Sequence, residues 1–164
     1  MTYDREYLEV IMSIDNELSR LGIELPQAPK PLGSYVPCVQ VGNLLFISGI
    51  LPLWEGKLLA EGRVDLDVSV EAAREAARQT VINALSVIRG YLGGLDTLRR
   101  CIRLTGYVSS TPGFFRQPDV LNAASDLLYE LMGERGRHTR VAVGVEVLPL
   151  NSPIEVEFIF EVGA

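Results

Sequence analysis

Apolar positions along the chain switch between helical and strand spacing, and the switches mark the elements. Over residues 3–21, Tyr7, Ile11, Ile14, Leu18 and Leu21 recur at steps of three and four, with acids and Arg20 between them. This spacing predicts an amphipathic helix that Gly22 ends. Pro26, Pro29, Pro31 and Gly33 make the next stretch an extended connector, since proline cannot continue a helix or a central strand. Strands are predicted at Tyr35–Val41 and Leu44–Ser48, flanking a Gly42-Asn43 turn, with a weaker third at Lys57–Val64. Ser69 or Asp67 can cap a long helix from Val70 to Leu92, and Gly93-Gly94 end it. Its small-residue face, Ala73, Ala77, Thr80, Ala84 and Ile88, suits close packing on a sheet. A strand at Arg99–Ser109, a helix from Pro118 to about Gly133, and strands at Arg140–Leu148 and Ile154–Val162 complete the chain. The order predicts an α+β fold with a mainly antiparallel sheet and two helices on one face, plus an extra N-terminal helix.

The last two strands alternate cleanly. Val141, Val143, Val145 and Val147 share one face of the first, with Arg140, Ala142, Gly144 and Glu146 on the other. In the second, Ile154, Val156, Phe158, Phe160 and Val162 share a face opposite Glu155, Glu157, Ile159 and Glu161. A hairpin around Pro149–Ser152 that pairs Leu148 with Pro153 would set Val147 against Ile154 and Glu146 against Glu155. The apolar faces would then lie under the helices, with Arg140 and the carboxylates on the opposite side. Two facing carboxylates repel unless a cation or proton intervenes, which makes Glu155 a candidate acid/base. An ordinary solvated charged face fits the same pattern.

Composition narrows the function classes. The 164 residues fit one domain, 48% of them are hydrophobic, and mean hydropathy is +0.20, an excess that subunit contacts can bury. No apolar run reaches the roughly 20 residues a bilayer span needs, and the acidic, amphipathic start does not look like a signal segment, so a cytoplasmic location is expected. A net charge of −6 and a pI of about 4.8 weigh against nucleic acid as a partner. Arg99, Arg100 and Arg103 form the one dense basic cluster and read as an exposed strand edge. Cys38 and Cys101 lack metal-type spacing and read as free core thiols. His138 is the only histidine, which rules out a multi-histidine metal site. Beside a strand it reads as a polar surface residue or as a titrating group in a cleft.

Three ordered stretches carry a resemblance. Arg140…Leu148-Pro149…Ile154-Glu155-Val156-Glu157 resembles the C-terminal signature of the Rid (reactive intermediate deaminase) family, also called YjgF or endoribonuclease L-PSP. Gly33-Ser34-Tyr35-Val36 with Phe46-Ile47-Ser48-Gly49 resembles its N-terminal signature, and Asn122-Ala123 its middle motif. The resemblance covers residues 31–162, within one domain made of an N-terminal part, 1–30, and a core, 31–164. It implies a chorismate-mutase-like homotrimer with clefts between subunits and no cofactor or metal. It also implies that Arg140 holds a substrate carboxylate, that Glu155 handles the attacking water, and that Tyr35, Ser48 and Asn122 line the cleft. The resemblance is to a divergent branch in which the helix at 3–21 is an N-terminal addition, and three further features depart from the deaminating branch. Ala142 stands where a Cys is usual, His138-Thr139 replace a Pro near the Arg, and the loop between Asn122 and Arg140 is one residue longer.

The resemblance therefore implies a hydrolytic deaminase of enamines or imines from amino-acid metabolism, releasing ammonia and a 2-oxo acid. The residue types suit it: Arg binds a carboxylate at two points, and a partly desolvated Glu can take a proton from water and return it to the leaving nitrogen. A non-catalytic trimer that binds a carboxylate metabolite is the alternative. An endoribonuclease fits the acidic charge balance less well.

Overall fold

The computed structural model describes residues 13–28 and 33–163. The predicted helix over 3–21 is seen as α1 (Ile14–Arg20), capped by the Ser13 hydroxyl, which accepts from the Asn16 N–H. Residues 3–12 of that expectation, and 29–32 of the connector, lie outside the described residues. Ile14 and Leu18 turn the buried face of α1 toward the core.

Five strands make the main sheet: β1 (Cys38–Val41), β2 (Leu44–Ile50), β5 (Leu98–Ser109), β6 (Thr139–Val145) and β7 (Ile154–Val162), in the order β1-β2-β7-β5-β6. Val41 pairs with Leu44, so Gly42-Asn43 is the predicted two-residue turn, and Gly42 takes the positive φ of 60° that such turns require. Two short strands, β3 (Leu53–Trp54) and β4 (Lys57–Leu58), pair only with each other. The strand expected at Lys57–Val64 is thus reduced to Lys57–Leu58 and isolated bridges from Val64 to Val68 and Ser110. Gly62 and the turn from Arg63 to Val68, closed by three hydrogen bonds to the Arg63 carbonyl, break the run.

Helices α2 (Val70–Leu92) and α3 (Gln117–Met132) pack on one another and on one sheet face. The Ser69 hydroxyl accepts from the Ala72 N–H, a cap that contributes about 1 kcal/mol, and Gly93 closes the helix in the left-handed conformation. Ala73, Ala77, Thr80, Ala84 and Ile88 are all fully buried, as their small-residue pattern predicts. Asn83 donates to the carbonyls of Leu51 (3.0 Å) and Leu53 (2.8 Å), fastening α2 to the corner after β2. Phe158 and Phe160 stack at 5.7 Å beneath the helices, each contributing about 1.5–3 kcal/mol through burial. Among the described residues no helix is long and apolar enough to cross a membrane.

The expected terminal hairpin does not form. β6 pairs in parallel with β5, and β7 pairs antiparallel with β5 on its other side, so β5 separates the two. The reason is the strand–helix–strand sequence β5-α3-β6: a helical crossover returns the chain parallel to, and beside, the strand it left. Glu146 therefore meets Arg63 (3.3 Å) instead of Glu155. The faces change too. Arg140, Ala142 and Gly144 stand level with Leu104, Gly106 and Val108 on the helix side, while Val141, Val143 and Val145 accompany Thr105, Tyr107 and Ser109 on the open side. The valine face expected under the helices is on the uncovered face, where Val39, Val41 and Phe46 of β1 and β2 are also exposed.

Candidate active site

Arg140 enters from β6 beneath α3. Its Nη1 donates to Asn122 Oδ1 (2.9 Å) and Ser125 Oγ (3.1 Å), two residues three apart on the same face of α3. Among the described residues no carboxylate pairs with it. Ser125, His138 and Arg140 help line a cavity of about 360 Å³. His138 is half-buried rather than a free surface residue. Its Nδ1 lies 2.6 Å from the Gly136 carbonyl and its Nε2 3.0 Å from Ser125 Oγ. Burial holds its pKa below the ordinary histidine value, the Gly136 hydrogen bond opposes that shift, and the Arg140 charge adds to it.

Glu155 stands on the other sheet face, level with Tyr107 of β5. A bulge between Ile47 and Ile50 brings the β2 backbone against it, and a Cβ on Gly49 would overlap the Glu155 carboxylate. Next to Gly49, Ser48 donates to the Val36 carbonyl at 2.7 Å, which draws the Tyr35-Val36 segment to the same corner. Tyr35 itself is exposed in a bend before β1, so the strand expected from Tyr35 begins only at Cys38. Desolvation, and then the neighbouring Glu157, raise the Glu155 pKa above the usual carboxylate value. Such a carboxyl favours folding most when protonated: that stability is complete below the ordinary Glu range and is lost as pH rises through the folded value. Glu155→Gln is therefore expected to unfold at a higher temperature than the native protein at pH 7. Thermal melts should show the gap closing as pH falls toward 4.

The structure thus gathers the expected site residues into two groups. Arg140 and Asn122 meet on the helix side, joined by Ser125 and His138. Glu155, Ser48 and the Tyr35 segment meet on the open side. Glu155 lies two strands over from β6, about 10 Å, and three residues along from the level of Arg140, about another 10 Å. With the sheet also between them, the two groups of one chain cannot grip one small molecule. Sequence reasoning overlooked Ser125, although its place one helical turn beyond Asn122 was a usable signal. Cys38 and Cys101 are free and buried; burial raises both thiol pKa values, that of Cys101 to about 12.

An α+β chain with one helix-covered face on a mostly antiparallel sheet defines a fold class found among known proteins. A family model described as "YjgF/chorismate mutase-like, putative endoribonuclease" matches residues 15–162, and this chain belongs to that family. It is 38% identical over 147 residues to the protein TCP17 of Trypanosoma cruzi, covering 89% of this chain and 92% of that one. A protein of unknown function from Agrobacterium tumefaciens superposes with a TM-score of 0.86 at 40% identity, over 96% of each chain. A structure from Shewanella oneidensis, described as a "putative endoribonuclease", superposes with a TM-score of 0.88 at 35% identity, covering 92% of this chain and 99% of that one. E. coli TdcF with bound serine shares the fold at 21% identity, with a TM-score of 0.61 over 84% of this chain and 94% of that one.

Proposed function

We propose that this protein is a cytoplasmic hydrolytic deaminase of reactive imines and enamines derived from amino acids, acting at sites completed between the subunits of a homotrimer. The observation that carries the reading is Arg140: a guanidinium at a cavity wall, held in place by two neutral oxygens, with its charge left for a ligand. A planar two-point donor suits the carboxylate of a 2-imino acid. Water adds to the carbon of the protonated imine, C=NH2+, whose π pair goes to nitrogen, and gives a proton to Glu155, whose raised pKa suits that exchange. The proton returns to nitrogen, the C–N bond breaks, and ammonia and a 2-oxo acid leave. That TdcF binds serine supports a site of amino-acid size. The uncovered sheet face, with Val39, Val41, Phe46 and Val143 exposed, is the surface we assign to the trimer contact. RNA cleavage fits less well, because Glu155 and Glu157 on the open face repel phosphate.

Arg140→Lys tests the reading. The ammonium keeps the charge and loses the planar contact, so KM for an imine generated in situ by an amino-acid oxidase should rise about tenfold or more, with the fold intact. Ammonia release at unchanged KM would remove Arg140 from the site. Binding of a 2-oxo acid without any ammonia release would favour a non-catalytic binder.

A further inference from the structure

Hydrolysis of an imine needs two proton acceptors at different moments, and Glu155 supplies one. The first proton leaves water as its oxygen bonds to carbon. The second leaves the resulting carbinol hydroxyl, as the C=O bond forms and the C–N bond breaks. During that second step Glu155 is occupied in returning its proton to nitrogen.

The Arg140 side of the site holds a hydrogen-bonded chain suited to the second step. A backbone carbonyl only accepts, so the 2.6 Å contact with Gly136 places the ring proton of neutral His138 on Nδ1. Nε2 then carries a lone pair, and the Ser125 hydroxyl donates to it at 3.0 Å. With its proton turned to His138, the Ser125 oxygen presents its lone pairs outward, and one of them accepts from Arg140 Nη1 at 3.1 Å. A hydroxyl bonded to a base, with the base oriented by a third group, is the arrangement that readies an oxygen to take a proton. All three side chains line the same cavity. A carboxylate on Arg140 would bring the adjoining reacting carbon beside Ser125.

We propose that Ser125 and His138 form a proton relay that completes the reaction: Ser125 takes the carbinol proton and passes its own to His138 Nε2. The inference rests on the deaminase reading and names the group that serves its last step. In that step the O–H bond of the carbinol breaks, its electron pair forms C=O, and the C–N pair leaves with nitrogen. The nitrogen takes the proton that Glu155 holds as its bond to carbon breaks. The imidazolium then gives its proton to the departing ammonia or to water. Burial and the Arg140 charge both favour that discharge. The charged and titratable groups facing His138 are Arg140 from β6, Asp126 and Tyr129 from α3, and Arg137 beside it, which is paired with Glu134 at 2.9 Å. Ser125 touches substrate in this scheme, and His138 acts through it as a positioning residue and proton store.

His138 is the chain's only histidine, so one nitrogen-15 labelled ring can be read without assignment. The neutral ring should carry its proton on Nδ1, titrate below the ordinary histidine value, and lose the Nε2 hydrogen bond in Ser125→Ala. A proton on Nε2 in the neutral ring overturns the relay whatever the activity. In turnover of the in-situ imine, Ser125→Ala and His138→Gln should each lower kcat about 10- to 100-fold with KM within about twofold. The acid limb of the kcat profile at the measured His138 pKa should vanish in His138→Gln and persist in Glu155→Gln. A raised KM with kcat unchanged would mean that the pair only braces Arg140, which also overturns it. If the native protein releases no ammonia from any imine, the deaminase reading fails and the relay with it. If the native protein is active and both variants match it, only the relay fails.

Discussion

Mixing Arg140→Ala protomers with Glu155→Gln protomers should restore about a quarter of the native activity per site, although each variant alone should fall to about a hundredth or less. Within one chain the two residues lie on opposite faces of the sheet, Glu155 on β7 and Arg140 on β6, with β5 between them. A substrate a few ångströms across cannot touch both. A site that uses both must therefore take Arg140 from one subunit and Glu155 from a neighbour. In a random one-to-one mixture, half of the subunits still carry Arg140. Half of their neighbours across the shared cleft still carry Glu155, so about one interface in four is complete. The measurement is ammonia release after unfolding and refolding the two variants together, with native mass spectrometry counting mixed trimers. Full assembly without recovered activity would show that the two residues do not share a site. Sedimentation of the native protein as a monomer would remove the intersubunit cleft altogether.

Gly136→Ala should cost about 3 kcal/mol and lower the melting temperature by about 10 °C. Gly136 is buried at the end of the 3₁₀ turn Gly133–Gly136, directly after α3. A Cβ there would overlap the carbonyl of Leu128 and crowd the N–H of Tyr129, both backbone atoms of the last turn of α3. A flexible side chain could swing away, but a helix backbone must shift as a unit against Leu127, Leu131 and Met132, all buried. The same carbonyl that fixes the His138 tautomer belongs to this residue, so Arg140 and Ser125 would move with it. Calorimetry checks the cost; a fall of less than about 2 °C would contradict the packing described here.

Local signals made much of this legible in the sequence. The bounds of α2 follow from Ser69 and Gly93, because a side-chain cap and a left-handed glycine act on the residues beside them. Gly42-Asn43 likewise specifies its own turn. Strand partners are another matter. Alternation says which residues share a face, but neither which face is covered nor which strand lies alongside. The valines at 141, 143 and 145 looked like a core face, and their edge strand instead turns them to the open side. The strand–helix–strand order from Leu98 to Val145 carried the needed information, since that order demands a parallel crossover. The candidate site residues came from the motif resemblance, whereas their division between two sheet faces was not legible in it. His138 illustrates the limit of composition: a lone histidine reads as a surface residue or as a titrating group in a cleft, and only the three-dimensional positions of Gly136 and Ser125 give it partners.

The two buried thiols carry a consequence for chemical durability. Imines and enamines of amino acids are electrophiles or release them, and a protein that handles such molecules is exposed to alkylation by its own substrates and to condensation with its own carbonyl products. The species that suffers alkylation is the thiolate, and burial keeps Cys38 and Cys101 protonated, the latter up to about pH 12. Primary amines condense with carbonyls, and only two of the 15 basic residues, Lys30 and Lys57, are lysines. Guanidinium groups stay charged and do not add to carbonyls at neutral pH. On the proposed reading the chain would hold its substrate's carboxylate with a cation that the chemistry leaves untouched, and it would offer few bystander nucleophiles to imines and their carbonyl products.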